Sequence, residues 1–313
     1  MADTLDANGL ILIHAIASAG SLTRAAQNLG MVQPALTKKL QRIESQLGVN
    51  LFTRDRRGVR LTPYGETLLP HANTLVAQLR QATEAVGQMR GLRQGIVSVA
   101  LSHLATITLL AEVYRRFQAL WPDIQLRIAP PAFPDRFAGL REGAPDFAVV
   151  PRPSQRLGNE FISTPLHTTT VVAIVRADHP LVHARSLAEL VDAQWVLPNL
   201  SSTSAQALAR VFSVARLKEP RIAAICETLT GLEILVSNSD LIGTVPTEVH
   251  LLRANASGLR ALPLDTLIEG PSLALIRWRE AQPTPAAAAL EQIFIEVAHE
   301  RARSERLTVP CPD

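Results

Sequence analysis

Residues 21–62 read SLTRAAQNLGMVQPALTKKLQRIESQLGVNLFTRDRRGVRLT, and their spacing decides the fold. Ser21 is a suitable N-cap, because its hydroxyl can accept from the free N–H groups of a first helical turn. Ala25 and Ala26 are small enough for another helix to approach closely, Leu29 closes the apolar face, and Gly30 fits the left-handed residue that ends a helix. A second helix begins near Gln33-Pro34, where the missing N–H of proline costs nothing. Leu36, Leu40, Ile43 and Leu47 recur at helical spacing and define its buried face, with Gly48 as the stop. At about 100° of rotation per residue, Pro34, Lys38, Gln41 and Ser45 project from the opposite face, with Thr37 and Arg42 on its flanks. Lys39 lies nearer the buried side, better placed for a phosphate than for a base. Donors, a hydroxyl and an apolar proline surface are the groups that base edges in a major groove require.

After Gly48 the apolar period changes. Leu51-Phe52 and Val59-Arg60-Leu61 flank Thr53-Arg54-Asp55-Arg56-Arg57-Gly58, which predicts a β-hairpin with a glycine-assisted turn. Arg54, Arg56 and Arg57 cluster at its tip, where they suit a polyanionic duplex. A helix pair followed by such a wing is a winged helix-turn-helix; the alternative is a small helical domain with an ordinary solvated charged loop. The charge distribution favours the former. Residues 1–95 carry 11 Lys+Arg against 6 Asp+Glu, while the remainder carries 20 against 22, so the basic excess sits with the proposed reader.

Thr62 can cap a long helix over residues 63–90, with Pro63 in its first turn and no strong breaker before Gly91. Leu68, Ala72, Leu75, Leu79, Ala82, Val86 and Met89 alternate at spacings of four and three, the seam of a helix that packs along another. A second copy of the chain is one partner for that seam, giving a homodimer whose paired recognition helices read an inverted repeat. The chain's own C-terminal region is the other. Gly91–Gly95 (GLRQG) is the expected hinge. Beyond it, short apolar strands at 96–101, 124–128, 147–150, 171–175, 241–245 and 273–278 are interleaved with helical stretches at 106–120, 135–141, 205–215, 247–253 and 285–303. That alternation argues for α/β structure with parallel sheets flanked by helices.

GSLTRAAQNLGMVQPALTKKLQRIESQLGVNLFTRDRRGVRLTPYGE closely resembles the DNA-binding domain of LysR-type transcriptional regulators. Weaker resemblance continues through Phe117-Gln-Ala-Leu-Trp-Pro122, Leu140-Arg-Glu-Gly143, Asp146-Phe-Ala-Val149 and Val172-Ala-Ile-Val-Arg-Ala-Asp-His-Pro180. The resemblance implies a winged helix-turn-helix over 1–62, a dimerisation helix over 63–90, a hinge at 91–95 and a regulatory domain over 96–306, with a tail at 307–313. That domain would have two lobes, lobe I (96–165 with 271–306) and lobe II (166–270), arranged as in periplasmic solute-binding proteins. Implied partners are promoter DNA, RNA polymerase, a small effector in the inter-lobe cleft, and further copies of the chain in a homodimer or homotetramer. Candidate DNA contacts then extend to Ser21, Thr23, Arg24 and Gln33. One departure is Val32, where the family usually has serine or threonine: valine cannot cap the helix, a loss of about 1 kcal/mol, and cannot donate to a phosphate. SHLATITLL and ICETLTGLEILVSNSDLIGTVP look most like the family's regulators for sugars or aromatic sulfonates.

In open α/β sheets, ligands bind beyond the carboxyl ends of strands, near helix N-termini. Ser102-His103, Arg152, the loop carrying Ser201, Ser202 and Thr203, and Thr244 meet that description, and hydroxyls beside free N–H groups suit an anion such as a carboxylate or sulfonate. Plain N-capping explains the serine-rich loop equally well. Two cysteines, Cys226 and Cys311, cannot make a disulfide framework, and Cys226 is expected to be a buried hydrophobe. The eight histidines are scattered; no HExxH, phosphate-binding glycine loop, GxSxG or CxxC occurs, so neither catalytic chemistry, nor a metal, nor a cofactor is expected. Adjacent Ser102 and His103 do not make a nucleophile and base, which normally come from separate segments. A hydrolase reading would require ester turnover abolished by Ser102→Ala. An architectural DNA-binding protein without ligand control remains the other alternative. No secretory signal or membrane-spanning run precedes the first helix, so the sequence reads as soluble and cytoplasmic.

Overall fold

The structure, a computed structural model, describes residues 5–55, 58–131, 137–153, 157–198 and 202–308, with the side chains of residues 54, 55 and 304–308 excepted. The N-terminal unit packs α1 (Ala7–Ala19), α2 (Leu22–Asn28) and α3 (Gln33–Leu47) against a hairpin of β1 (Phe52–Asp55) and β2 (Gly58–Leu61). Leu12, Ile13, Ile16, Ala25, Ala26, Leu36 and Leu40 form its core. Gly30 and Gly48 take the left-handed conformation foreseen at the helix ends, with φ of +63° and +70°. Two local expectations are corrected. Ser21 stands at the N-cap of α2 without a side-chain capping bond, and Leu47 is exposed rather than buried. The long helix expected over 63–90 is present as α4 (Pro63–Met89), which continues past an internal proline, Pro70.

Thr62 does cap α4, accepting from Gly65 N at 3.2 Å. The N-terminal turns of α4 belong to the DNA-binding unit: Ala72 is wholly buried with α1 and Leu68 packs against the same core. These two seam positions are therefore covered within the chain. Farther along, Leu79, Val86 and Met89 are exposed, Met89 by 82%.

The C-terminal unit follows as β3 (Gly95–Leu101), α5 (His103–Thr108), α6 (Leu110–Leu120), β4 (Ile124–Ala129), α7 (Ala138–Arg141), β5 (Phe147–Pro151) and β6 (Phe161–Val175). Then come β7 (Gln194–Leu197), α8 (Thr203–Val214), β8 (Arg221–Ile225), α9 (Leu229–Ser237), β9 (Leu241–Pro246), α10 (Thr247–Ser257), β10 (Arg260–Ala261), β11 (Ile268–Trp278) and α11 (Pro285–Thr308). The single helix expected over 106–120 is two, broken at Leu109. The nine described strands form one sheet in the order β4-β3-β5-β11-β6-β9-β7-β8, with β10 beside β6. Pairs within each wing are parallel, β3 with β4 and β5, and β7 with β8 and β9. β6 and β11 run antiparallel to each other and to their neighbours.

Those two long strands cross between lobes. Leu166 of β6 and Leu273 of β11 lie in one core with Phe117, Phe147 and Phe294; Val171 and Ile268 lie in another with Trp195, Leu208 and Phe212. The change of core falls where β6–β11 pairing is irregular, between Glu269 and Ala274.

Candidate nucleic-acid interface and effector cleft

α3 presents its polar face to solvent: Gln33, Pro34, Lys38, Lys39, Gln41, Arg42 and Ser45 are exposed, and Thr37 is half-buried. The helix is held in that pose by Leu36, Leu40 and Ile43 underneath. Val32 makes no capping bond and is itself 70% exposed, an apolar surface at the start of the reading helix. Thr23 and Arg24 are exposed on α2. The tip residues Arg56 and Arg57, and the side chain of Arg54, lie outside the described residues, as does Ser201. The wing's base is fixed by two contacts that the hydrophobic pattern did not reveal. Glu44 Oε1 of α3 accepts from Leu51 N at 2.7 Å and Phe52 N at 3.2 Å, and Val59 N donates to Gly20 O at 3.2 Å. The only sequence signal for the first was a lone acid in the helix facing a chain reversal.

In the C-terminal unit, the carboxyl ends of β3 and β5 carry Ser102-His103 and Arg152. Ser102 N donates to Val149 O at 3.0 Å, and Arg152 N donates to Ser272 O at 2.7 Å. Ser272 also accepts from Thr168 Oγ1 at 3.0 Å, so β5 ends beside the β6–β11 crossing and β3 ends one strand away. His103 and Arg152 are exposed. Ser102 Oγ accepts from Ala105 N at 3.3 Å, and Ser202 Oγ accepts from Ala205 N at 3.2 Å; both serines therefore cap helices, the plainer of the two readings of the serine-rich loop. Thr203 opens α8 behind that cap. Thr244 follows the Val196–Gly243 pair on β9, placing it beside the end of the strand that leads into α8. Its hydroxyl is buried with no hydrogen-bond partner, although buried polar groups are nearly always paired.

Sequence reasoning missed the polar knot at the crossing. Thr170 Oγ1 and Thr247 Oγ1 are 2.6 Å apart, and the buried Glu248 carboxylate accepts from Thr169 Oγ1 with His167 Nε2 at 3.4 Å. Burial works to raise the Glu248 pKa, but contacts with His167 and Thr169 outweigh it and leave the carboxyl below its ordinary value. The cue was a run of three threonines directly before the apolar stretch Val171–Val175. Cys226 lies just past β8, partly exposed, with Sγ 3.6 Å from Thr228 O, not buried in the strand as expected. His179 sits in a buried turn and accepts from Leu181 N at 3.0 Å through Nδ1. Among the described residues, no group of three or more His, Cys, Asp or Glu is placed to hold a metal, and no helix is long and apolar enough to cross a membrane.

A winged helix-turn-helix with an exposed cationic and amide-bearing helix, joined by a long helix to a bilobal α/β domain, defines a DNA-binding protein with a ligand-binding module. Two family models cover the chain accordingly: the lysR-family bacterial regulatory helix-turn-helix protein over residues 8–66, and the LysR substrate binding domain over residues 90–299. The chain belongs to the LysR family of transcriptional regulators, and is not an enzyme. It is 26% identical over 278 residues to the HTH-type transcriptional regulator GalR of Pseudomonas putida KT2440, covering 88% of this chain and 70% of that one. It is likewise 26% identical over 288 residues to the SDS degradation transcriptional activation protein of a Pseudomonas species, covering 90% and 93%. Among solved structures, the LysR-family regulator CbnR matches with a TM-score of 0.68 at 21% identity, covering 94% of this chain and 99% of that one.

Proposed function

We propose that this regulator binds promoter DNA as a dimer and is switched by a small anionic effector held between the lobes. α3 enters a major groove, with Lys38 and Gln41 on base edges and Lys39 and Arg42 on the backbone. The wing arginines Arg54, Arg56 and Arg57 add phosphate contacts, as do Ser21, Thr23 and Arg24 at α2. The exposed seam residues Leu79, Ala82, Val86 and Met89 pair with a second copy of α4, and two reading helices then address an inverted repeat. A tetramer forms through the effector domains, and bound regulator meets RNA polymerase in the cytoplasm.

The observation that carries the reading is the solvent-facing Lys38–Gln41 surface on a helix whose opposite face is locked into the core. CbnR, of like fold, has been solved with its target DNA. For the effector, the support is the 12-residue α8, whose N-terminus favours an anion, together with the unpartnered Thr244 hydroxyl close to it in the sheet order and the exposed Arg152. One relative is named for SDS degradation, and SDS is an anion. The test is a binding selection of purified protein against fragments of its own genome. Enrichment of intergenic fragments sharing an interrupted inverted repeat supports the reading. Enrichment without a shared sequence supports an architectural protein instead.

A further inference from the structure

Val32 stands at the N-cap of α3 in an extended conformation, φ −81° and ψ 140°. Its backbone does what a cap requires: Val32 O accepts from Ala35 N at 3.0 Å and from Leu36 N at 3.2 Å. Its side chain makes no capping bond and, at 70% exposure of the residue, adds nothing to the core beneath the helix. Elsewhere the chain uses oxygen-bearing caps. Asp6, Thr62, Ser102, Ser202 and Thr228 each accept from the first turn of α1, α4, α5, α8 and α9. A serine or threonine at position 32 would stabilise α3 in the same way, whereas a branched apolar side chain in water does not. A local rule broken with no return in the fold marks a position held for function.

The surroundings narrow what that function is. Gln33 and Pro34 are also exposed, so the start of the reading helix offers two apolar surfaces, Val32 and Pro34, with one amide side chain between them. The same turn is poorly equipped for phosphate. Pro34 has no N–H, Val32 has no hydroxyl, and Ala35 N and Leu36 N are already taken by Val32 O. On the floor of a major groove, guanine, adenine and cytosine present only donors and acceptors, while thymine adds a methyl group beside its O4. A side chain without donors or acceptors matches that methyl alone. Pressed against an amino group or a purine N7, it would displace water and leave the base edge unpaired.

We infer that Val32 is a specificity-determining residue that reads a pyrimidine 5-methyl group, that of thymine in unmodified DNA, at the end of each half-site met by the start of α3. The inference rests on the proposed function, since α3 must lie in the groove for Val32 to meet a base. Val32 then contributes to the choice of sequence and not to the salt-dependent grip on the backbone. 5-Methylcytosine carries the same methyl at the same place on its ring, so the same contact makes the site sensitive to cytosine methylation.

The test uses full-length protein and the site recovered by the genomic selection, with each thymine of one half-site replaced in turn by deoxyuridine, which removes the methyl and keeps every hydrogen-bonding group. Wild-type binding should weaken about fourfold at one position, the worth of one buried methyl-sized group. Val32→Ala, in protein with native circular dichroism, should bind the thymine and uracil forms of that position alike. Pro34 is unchanged in this variant, so a uracil effect that survives at another position belongs to Pro34. With a G·C pair at the Val32 position, wild type should prefer 5-methylcytosine to cytosine by a similar factor, and Val32→Ala should not distinguish them. The dependence of affinity on salt should be the same for both proteins. A site without any uracil-sensitive position, a uracil effect undiminished by Val32→Ala, or a salt slope changed by that substitution would overturn the inference and leave the proposed function standing. A selection that yields no shared sequence would remove the proposed function and this inference with it.

Discussion

Glu291 of α11 is partly buried beside Arg277 of β11, Oε2 to Nε 3.8 Å. Burial pushes its pKa up to about 7 from 4.5; Arg277 pulls it down and the Asp146 charge adds to the rise. The native state therefore binds a proton that the unfolded chain releases at lower pH. With folded pKa above unfolded pKa, stability is highest below 4.5 and declines as pH climbs through 7. At about 1.36 kcal/mol per pH unit, the full penalty at pH 8.5 is roughly 3 kcal/mol, and about 2 after allowing for partial solvent access. Glu291→Gln keeps the shape and removes the charge. It should stabilise the protein by about 2 kcal/mol at pH 8.5, near 5 °C in melting temperature for a domain of this size, with the gain shrinking to nothing by pH 4.5. Thermal melts of both proteins across that range measure it. A pH-independent difference, or a less stable variant at pH 8.5, would refute the reasoning and show that the Arg277 contact outweighs burial.

Lys38→Ala or Gln41→Ala should cost about 1–3 kcal/mol on the selected site and less on scrambled DNA; equal losses on both would move the reading face elsewhere. Leu40, 1% exposed, should cost about 2–5 kcal/mol on truncation to alanine, seen as early melting of the DNA-binding unit in urea. Val86→Asp places a charge on the exposed seam and should halve the mass seen by sedimentation at micromolar concentration, while an unchanged mass would show that the copies meet elsewhere.

Faces of single helices were legible because burial repeats with the helical period: Leu36, Leu40 and Ile43 lie where their spacing put them. What was illegible involves polar side chains serving distant backbone. Gln81 and Gln88 look like solvent residues on a heptad wheel, yet each is spent on a buried partner far along the chain, and no periodicity encodes a partner. The length of β6 was hidden for a related reason. Pro165 and Thr168–Thr170 interrupt the apolar pattern because the strand leaves one core, passes the polar crossing and enters a second. Leu109 divides 106–120 although nothing in composition marks a break. At the candidate cleft, strand ends were foreseeable from α/β topology, whereas Ser272, Thr168 and Glu248 depend on β11 returning beside β6, a non-local pairing.

The 27-residue α4 spans roughly 40 Å. Held along one flank of a lobe and carrying the DNA-reading unit at its other end, it has the length of a lever arm. A tilt of only about 5° sweeps the far end through about 3.5 Å, close to the ~3.4 Å step between successive base pairs. Under the proposed function, occupancy of the cleft would thus be expressed on a duplex as a change of register by one rung, from a motion too small to disturb either hydrophobic core.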